Sequence, residues 1–286
     1  MSTAIVTDTN SGIYEKQAAE LGIHVVPMPV IIGEETYFEG VNITQEEFFD
    51  ALLSNQQVMT SQPSPEDVTG TWDRVLEEYD DLVYIPMSSG LSGSCQTARI
   101  LAEDYNGRVQ VADNHRISLT MRHAIEDAQV MIKNGMNAAQ VKNVLEQTAF
   151  DSVVFLGLET LTFLKRGGRI TPAGAAIGSI LNIKPLTVIR GEKLDKFATV
   201  RGTKACRKKE VEALAGEVEK MKARGLHVKV DTAGSFLQQE DAEAWREMVQ
   251  EAFPDQNVRY NPLSLSISVH TGPDSYGCAA SILYER

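Results

Sequence analysis

The chain has 286 residues, 43% of them apolar and 23% charged, the balance of a folded globular protein with one large domain or two moderate ones. Its 27 basic against 39 acidic residues leave a net charge of −12, which speaks against a grip on nucleic acid and allows at most transient contact with an anionic membrane. No apolar run approaches the ~20 residues that span a bilayer, Met1 to Val6 lead into a strand rather than a signal sequence, and Cys95, Cys206 and Cys278 are too scattered for a disulfide framework or a zinc site, so the expectation is a cytoplasmic protein with no resident metal or cofactor.

Taken in chain order, Ala4 to Thr7 reads as a short strand closing in a polar turn over Asp8 to Gly12, and Ile23 to Ile32 as one β-rich stretch ending at Gly33. Thr44, with Glu47 three residues on, forms a capping box that opens a helix through Leu53. Ser64-Pro65-Glu66-Asp67 is a second helix start, with a serine cap, proline in the first turn and acids where the helix dipole favours them. Behind it Val68, Trp72, Val75, Leu76 and Tyr79 keep the rhythm of one buried face. Leu82 to Ile85 reads as a central strand, followed by a Ser/Gly turn and a helix from Cys95 to Tyr105. A strand over Arg108 to Ala112, a helix stopping at Asn134-Gly135 and a helix from Asn137 to about Thr148 complete this half. Such alternation predicts an α/β fold with a parallel-sheet N-terminal domain covered by helices on both faces.

The second half changes character. Val153 to Leu158 is a buried strand, Arg166-Gly167-Gly168-Arg169 a tight basic turn, and Thr171-Pro172 the start of a helix of small residues from Ala173 to Ser179. Leu186 to Ile189 and Phe197 to Val200 flank Gly191 as a hairpin; a helix, a strand, a helix and two closing strands, Leu263 to Val269 and Cys278 to Tyr284, follow. These elements predict a smaller α+β C-terminal domain, dividing the chain into 1–154 and 155–286.

Chemistry concentrates in Ser88-Ser89-Gly90-Leu91-Ser92-Gly93-Ser94, between a buried strand and a helix, the usual ligand position in an open α/β sheet. Hydroxyls and backbone N–H groups there suit a carboxylate or phosphate. The same residues also read as a plain helix cap around Ser92, or as an imperfect Gly-x-Ser-x-Gly nucleophile elbow with Ser94 in place of the last glycine and His270 following in hydrolase order. Met59-Thr60-Ser61-Gln62-Pro63 is a second hydroxyl loop before a helix, and two such loops can converge on one anion. Eight of the 27 basic residues fall between Arg190 and Lys209, a solvated face or a local site for an anion or partner. His24, His115, His123 and His227 have no ligand-like spacing.

Six segments occur here in the order that marks the DegV family: Thr7 to Gly12, Thr60 to Pro63, Ser88 to Ser94, Leu164 to Ile170, Leu181 to Pro185 and His270 to Pro273. The chain resembles that family over essentially its whole length. The resemblance implies two α/β domains with one long-chain fatty acid buried between them, 1–154 carrying the head-group loops and 155–286 closing over the acyl chain. It implies a lipid-binding carrier rather than an enzyme: the fatty-acid-binding subunit of fatty acid kinase, whose separate catalytic subunit phosphorylates the bound carboxylate to acyl phosphate for phospholipid synthesis. Carried over by position, it makes Thr60 and Ser92 the carboxylate-binding hydroxyls, puts His270 near the head group, and gives Arg201 a part in phosphoryl transfer or kinase docking. Two departures stand out: Asp274 where the family has glycine, and a bulkier Asp113 to His123 segment, a candidate influence on the pocket mouth. The alternative function is a serine hydrolase acting on acyl esters through Ser92 and His270.

Overall fold

All but the first residue of β1 (Thr3–Asp8) are buried, as befits a strand whose sheet is covered by helices on both faces. In the computed structural model, which describes residues 2–54, 56–172 and 182–284, β1 lies between β2 (His24–Val26) and β6 (Asp81–Ile85), and β6 also pairs with β7 (Val109–Val111). All these pairs are parallel, in the order β2-β1-β6-β7. Ala4, Val6, Leu82 and Tyr84 pack against Val68, Trp72 and Val75 of α3 (Pro65–Leu76) and Cys95 and Ala98 of α4 (Ser94–Ala102). Trp72 is fully buried, edge-on to Tyr84 and Tyr105 with ring centroids 5.4 Å from each. Alternation turns Ile5 and Val83 to the opposite face, where α5 (Ser118–Lys133) and α6 (Ala138–Gln147) pack on β1, β6 and β7.

The helix starts follow from their caps. Thr44 and Glu47 make the reciprocal capping box of α2 (Gln45–Leu53), and Ser64 accepts from Asp67 N–H at the head of α3. α1 (Glu15–Leu21) ends at Gly22 in the left-handed region, φ 65°. One β reading needs correction: Ile23 to Ile32 is not a single stretch. It splits at Pro27 into β2 and β3 (Pro29–Ile32), in different sheets, because proline has no N–H to continue a ladder. β3 is the middle of a small antiparallel sheet with β4 (Glu35–Phe38) and β5 (Val58–Thr60), two strands too short to show in the sequence pattern.

The chain divides into two compact units, one running to Phe150 and taking in Ser264–Ser266, the other holding Asp151–Leu263 and the chain from Ile267 on. The second unit is built on a six-stranded sheet ordered β10-β9-β8-β13-β11-β12, antiparallel except for the β11–β12 pair. Its strands are β8 (Ser152–Gly157), the hairpin β9 (Ile183–Ile189) and β10 (Asp195–Arg201), β11 (Val228–Gly234), β12 (Tyr260–Pro262) and β13 (Tyr276–Ile282). Phe155, Val230, Tyr276 and Cys278 meet Cys206, Leu214 and Val218 of α8 (Thr203–Ala223) and Trp245 and Val249 of α9 (Gln239–Ala252) in one core.

Two further readings are corrected here. The basic Arg166 to Arg169 turn closes a short helix, α7 (Thr162–Gly167), whose cap is Gly168 at φ 69°. Leu263 to Val269 is not a strand: Leu265–Thr271 is a helix, α10, and the strand β12 precedes it. The Leu-Ser-Leu-Ser-Ile-Ser-Val alternation mimics a half-exposed strand, yet Ser264, Ser266 and Ser268 are all buried, so the polar positions face no solvent. The small-residue helix expected over Ala173 to Ser179 lies outside the described residues. Among the described residues, no helix is long and apolar enough to cross a membrane.

Candidate ligand-binding site

The strand order of the parallel sheet reverses between β1 and β6, so the chain leaves those neighbours in opposite directions and opens a crevice at their carboxyl ends. Asp8, the last residue of β1, fills the base of that crevice. Its carboxylate accepts Met87 N–H at 3.0 Å and Asn10 N–H at 2.9 Å. Burial pushes the carboxyl up to about 6, although both backbone bonds pull it down. Asn10 is equally buried: its Nδ2 reaches Met87 Sδ at 3.0 Å and its Oδ1 accepts from Ser264 Oγ at 3.2 Å and Ser266 Oγ at 2.5 Å.

From Met87 the chain enters the hydroxyl loop. Ser88 N–H donates to Arg116 O at 2.9 Å, and Ser89 N–H to Asp113 Oδ1 at 3.2 Å. The Asp113 to His123 segment therefore braces this loop. It turns through left-handed backbone at His115 and Ser118, both at φ 52°, while Met121 and His123 are fully buried. Ser92 is half-buried just before α4, and its Oγ accepts Ser94 N–H at 3.2 Å. Thr60 ends β5, opposite Val30. Gln62 ties the two hydroxyl loops together: its Oε1 accepts from Thr97 Oγ1 at 3.1 Å on α4 and lies beside Gly93. The structure thus brings the Thr60 and Ser92 loops side by side at the head of α4.

His270 and Arg201 belong to the second unit. His270 lies in the last turn of α10 against Gly167, where an added Cβ would come within 2.1 Å of its Nδ1. Arg169 Nη1 donates to Gly167 O at 2.5 Å, and burial, reinforced by the Arg169 charge, lowers the imidazole to about 4. A neutral His270 follows at any pH near 7. Gly272, at φ 77°, leaves room for the Phe163 ring of α7, so Leu164 to Arg169 and His270 to Pro273 interlock.

Asp274 follows that turn at φ 53°, a conformation glycine adopts freely and aspartate tolerates. Its Oδ1 accepts Leu237 N–H at 3.1 Å, which gives the carboxylate a local partner. Arg201 is exposed at the end of β10, opposite Ile183 and next to Gly202 at φ 83°. Glu159 steadies that corner through an ion pair with Lys184 and a 3.2 Å bond from Thr203 Oγ1.

Asp8, Asn10, Gln62 and Arg169 escaped the sequence reading as individual residues, although each lies inside one of the six segments. Polar side chains directly after a buried strand were the available signal. Among the described residues, no group of three His, Cys, Asp or Glu side chains is placed to hold a metal ion.

The profile of a family described as "Uncharacterised protein, DegV family" matches residues 2–282. The DegV domain-containing protein of Deinococcus radiodurans is 30% identical over 280 residues, 98% of each chain. A solved structure described as the fatty acid binding of a DegV family protein from Thermus thermophilus is 31% identical, with a TM-score of 0.89 over 99% of this chain and all of that one. DegV from Bacillus subtilis, described as a fatty acid binding protein, is 24% identical and shares the fold, at a TM-score of 0.84 over 99% of both chains. With the family profile matching nearly the whole chain and a relative 30% identical over 98% of each chain, the chain belongs to the DegV family.

Proposed function

We propose that this protein binds one long-chain fatty acid and presents its carboxylate to a separate kinase subunit for conversion to acyl phosphate. The observation that carries the binding reading is the pairing of the Thr60 and Ser92 hydroxyl loops at the carboxyl end of the parallel sheet. The Thermus thermophilus relative, described by its fatty acid binding, supports it. Thr60, Ser92 and the neutral His270 serve the carboxylate by hydrogen bonding. Neutral donors hold an anion without quenching the nucleophilicity of its oxygen. Each methylene of the chain adds about 0.8 kcal/mol on leaving water, so tight binding needs only a modest head-group site.

In the kinase step a carboxylate oxygen attacks the γ-phosphorus of ATP, the bond to the bridging oxygen breaks, and ADP leaves. Arg201 offers its charge to that transfer or to docking. The carrier itself supplies no nucleophile. The hydrolase alternative fares worse: Ser92 stands seven residues beyond β6 with its hydroxyl engaged by Ser94 N–H, not on the sharp strand-to-helix turn that an elbow nucleophile needs.

Two variants test the binding reading. A hydrogen bond to a charged group is worth roughly 1.5–3 kcal/mol, so Thr60→Ala and Ser92→Ala are each expected to weaken oleate binding about 10-fold or more by calorimetry. Unchanged affinity in both overturns these assignments. With the kinase subunit and ATP, trapping acyl phosphate as the hydroxamate is expected to report product for wild type and a lower rate for Arg201→Ala at unchanged oleate affinity.

A further inference from the structure

The Thr7 to Gly12 segment has no part in the function proposed above, yet it contains the most deeply buried polar side chains of the crevice. Asp8 and Asn10 are 0% and 1% exposed. Folding desolvates both groups, a cost that their hydrogen bonds have to offset. Asp8 spends one oxygen on the N–H of Met87, the residue that opens the hydroxyl loop, and the other on the N–H of Asn10. Asn10 then grips the Met87 side chain from one end and Ser264 and Ser266 from the other. Beyond Met87, Ser88 O accepts the N–H groups of Leu91 and Ser92 at 3.0 and 3.1 Å, so a displacement of Met87 is passed to Ser92 within one tight turn.

We infer that Asp8 and Asn10 are positioning residues for the hydroxyl loop, holding Met87 to Ser92 so that the Ser92 hydroxyl meets the ligand carboxylate without reorganisation; for its ligand, this inference rests on the fatty-acid reading above. An asparagine at position 8 offers one acceptor oxygen where the carboxylate offers two, and turns an N–H toward one of the two backbone donors. Protonation does the same, because the carboxylic acid also places a hydrogen against a donor. The titratable groups that feel the charge of Asp8 are Tyr84 on β6 and Cys95 on α4. Burial raises both, the Cys95 thiol to about 12, so neither changes charge between pH 5 and 8. Over that range the carboxyl of Asp8, raised to about 6, is the group in this network that titrates.

The experiment uses the full chain stripped of lipid, with oleate as the probe, in wild type, Asp8→Asn and Asn10→Ala. Both variants are expected to keep the wild-type circular dichroism spectrum and to bind oleate at least 10-fold more weakly at pH 7.5. Wild-type affinity is expected to fall below pH 6 with a component that Asp8→Asn lacks. Hydrogen exchange of the ligand-free proteins supplies an arm independent of oleate: peptides covering Met87 to Ser92 are expected to exchange at least 10-fold faster in both variants. Wild-type exchange in that segment overturns the inference whatever binds there, as does wild-type oleate affinity in Asp8→Asn. A wild-type protein that takes up no oleate, with the loop loosened in both variants, contradicts the fatty-acid reading and leaves the positioning role supported.

Discussion

Asp8 is buried and His270 half-buried, and the fold treats them as opposites. The Asp8 carboxyl is raised from 3.8 to about 6 by burial. Below 3.8 it is protonated in native and unfolded chains alike. Between 3.8 and 6 the native state keeps a proton that the unfolded chain has released, so stability is lost as pH rises through that window. At 1.36 kcal/mol per unit the loss is about 3 kcal/mol. Burial and Arg169 lower His270 from 6.5 to about 4, which reverses the sign: its contribution is complete above 6.5 and is lost as pH falls toward 4. Urea unfolding from pH 4 to 7 is expected to show Asp8→Asn gaining on wild type as pH rises, by about 3 kcal/mol at pH 7. A constant difference between the two proteins contradicts this account. The same substitution is expected to weaken ligand binding, so Asp8 is a place where stability is given up for a fixed site.

At the scale of elements, the test falls on the contact between α7 and α10. Gly167 has no room for a side chain because the His270 ring occupies the space, with Nδ1 2.1 Å from where Cβ would stand. Gly167→Ala is expected to cost about 1–3 kcal/mol of stability as an overpacked contact, read by thermal unfolding, and to shift the His270 ring resonances in NMR. Native stability and unmoved resonances mean that the two segments are not locked together.

Elements were legible where one physical signal dominated. Thr44 and Ser64 announced their helices because a capping hydroxyl has one obvious partner, and both caps form as read. Leu82 to Ile85 was legible as an interior strand because burial on both faces leaves a continuous apolar run. Failures came where local pattern and tertiary setting diverged. Ser264, Ser266 and Ser268 suggested an exposed strand face, but burial and the bonds from Ser264 and Ser266 to Asn10, 254 and 256 residues away, made helix the better solution. No short-range pattern carries such a partner. The candidate hydroxyls were visible as types in loops, whereas the supports beneath them, Asp8 to Met87 and Gln62 to Thr97, appear only once distant strands are adjacent.

For the whole molecule, a net charge of −12 contrasts with the cluster of eight cations between Arg190 and Lys209. Under the proposed function, the exposed members of that stretch, Arg201 among them, are where an acidic partner surface would dock. On the same reading, the polar groups at the carboxyl end of the crevice serve a head group, and the rest of a fatty acid needs no directed bonds. Native mass spectrometry of the purified protein, followed by organic extraction and lipid identification, tests this most directly. The account predicts a co-purifying fatty acid of about 14 to 18 carbons, near one per chain, lost or reduced in Ser92→Ala. A protein that arrives empty and takes up neither oleate nor palmitate contradicts it.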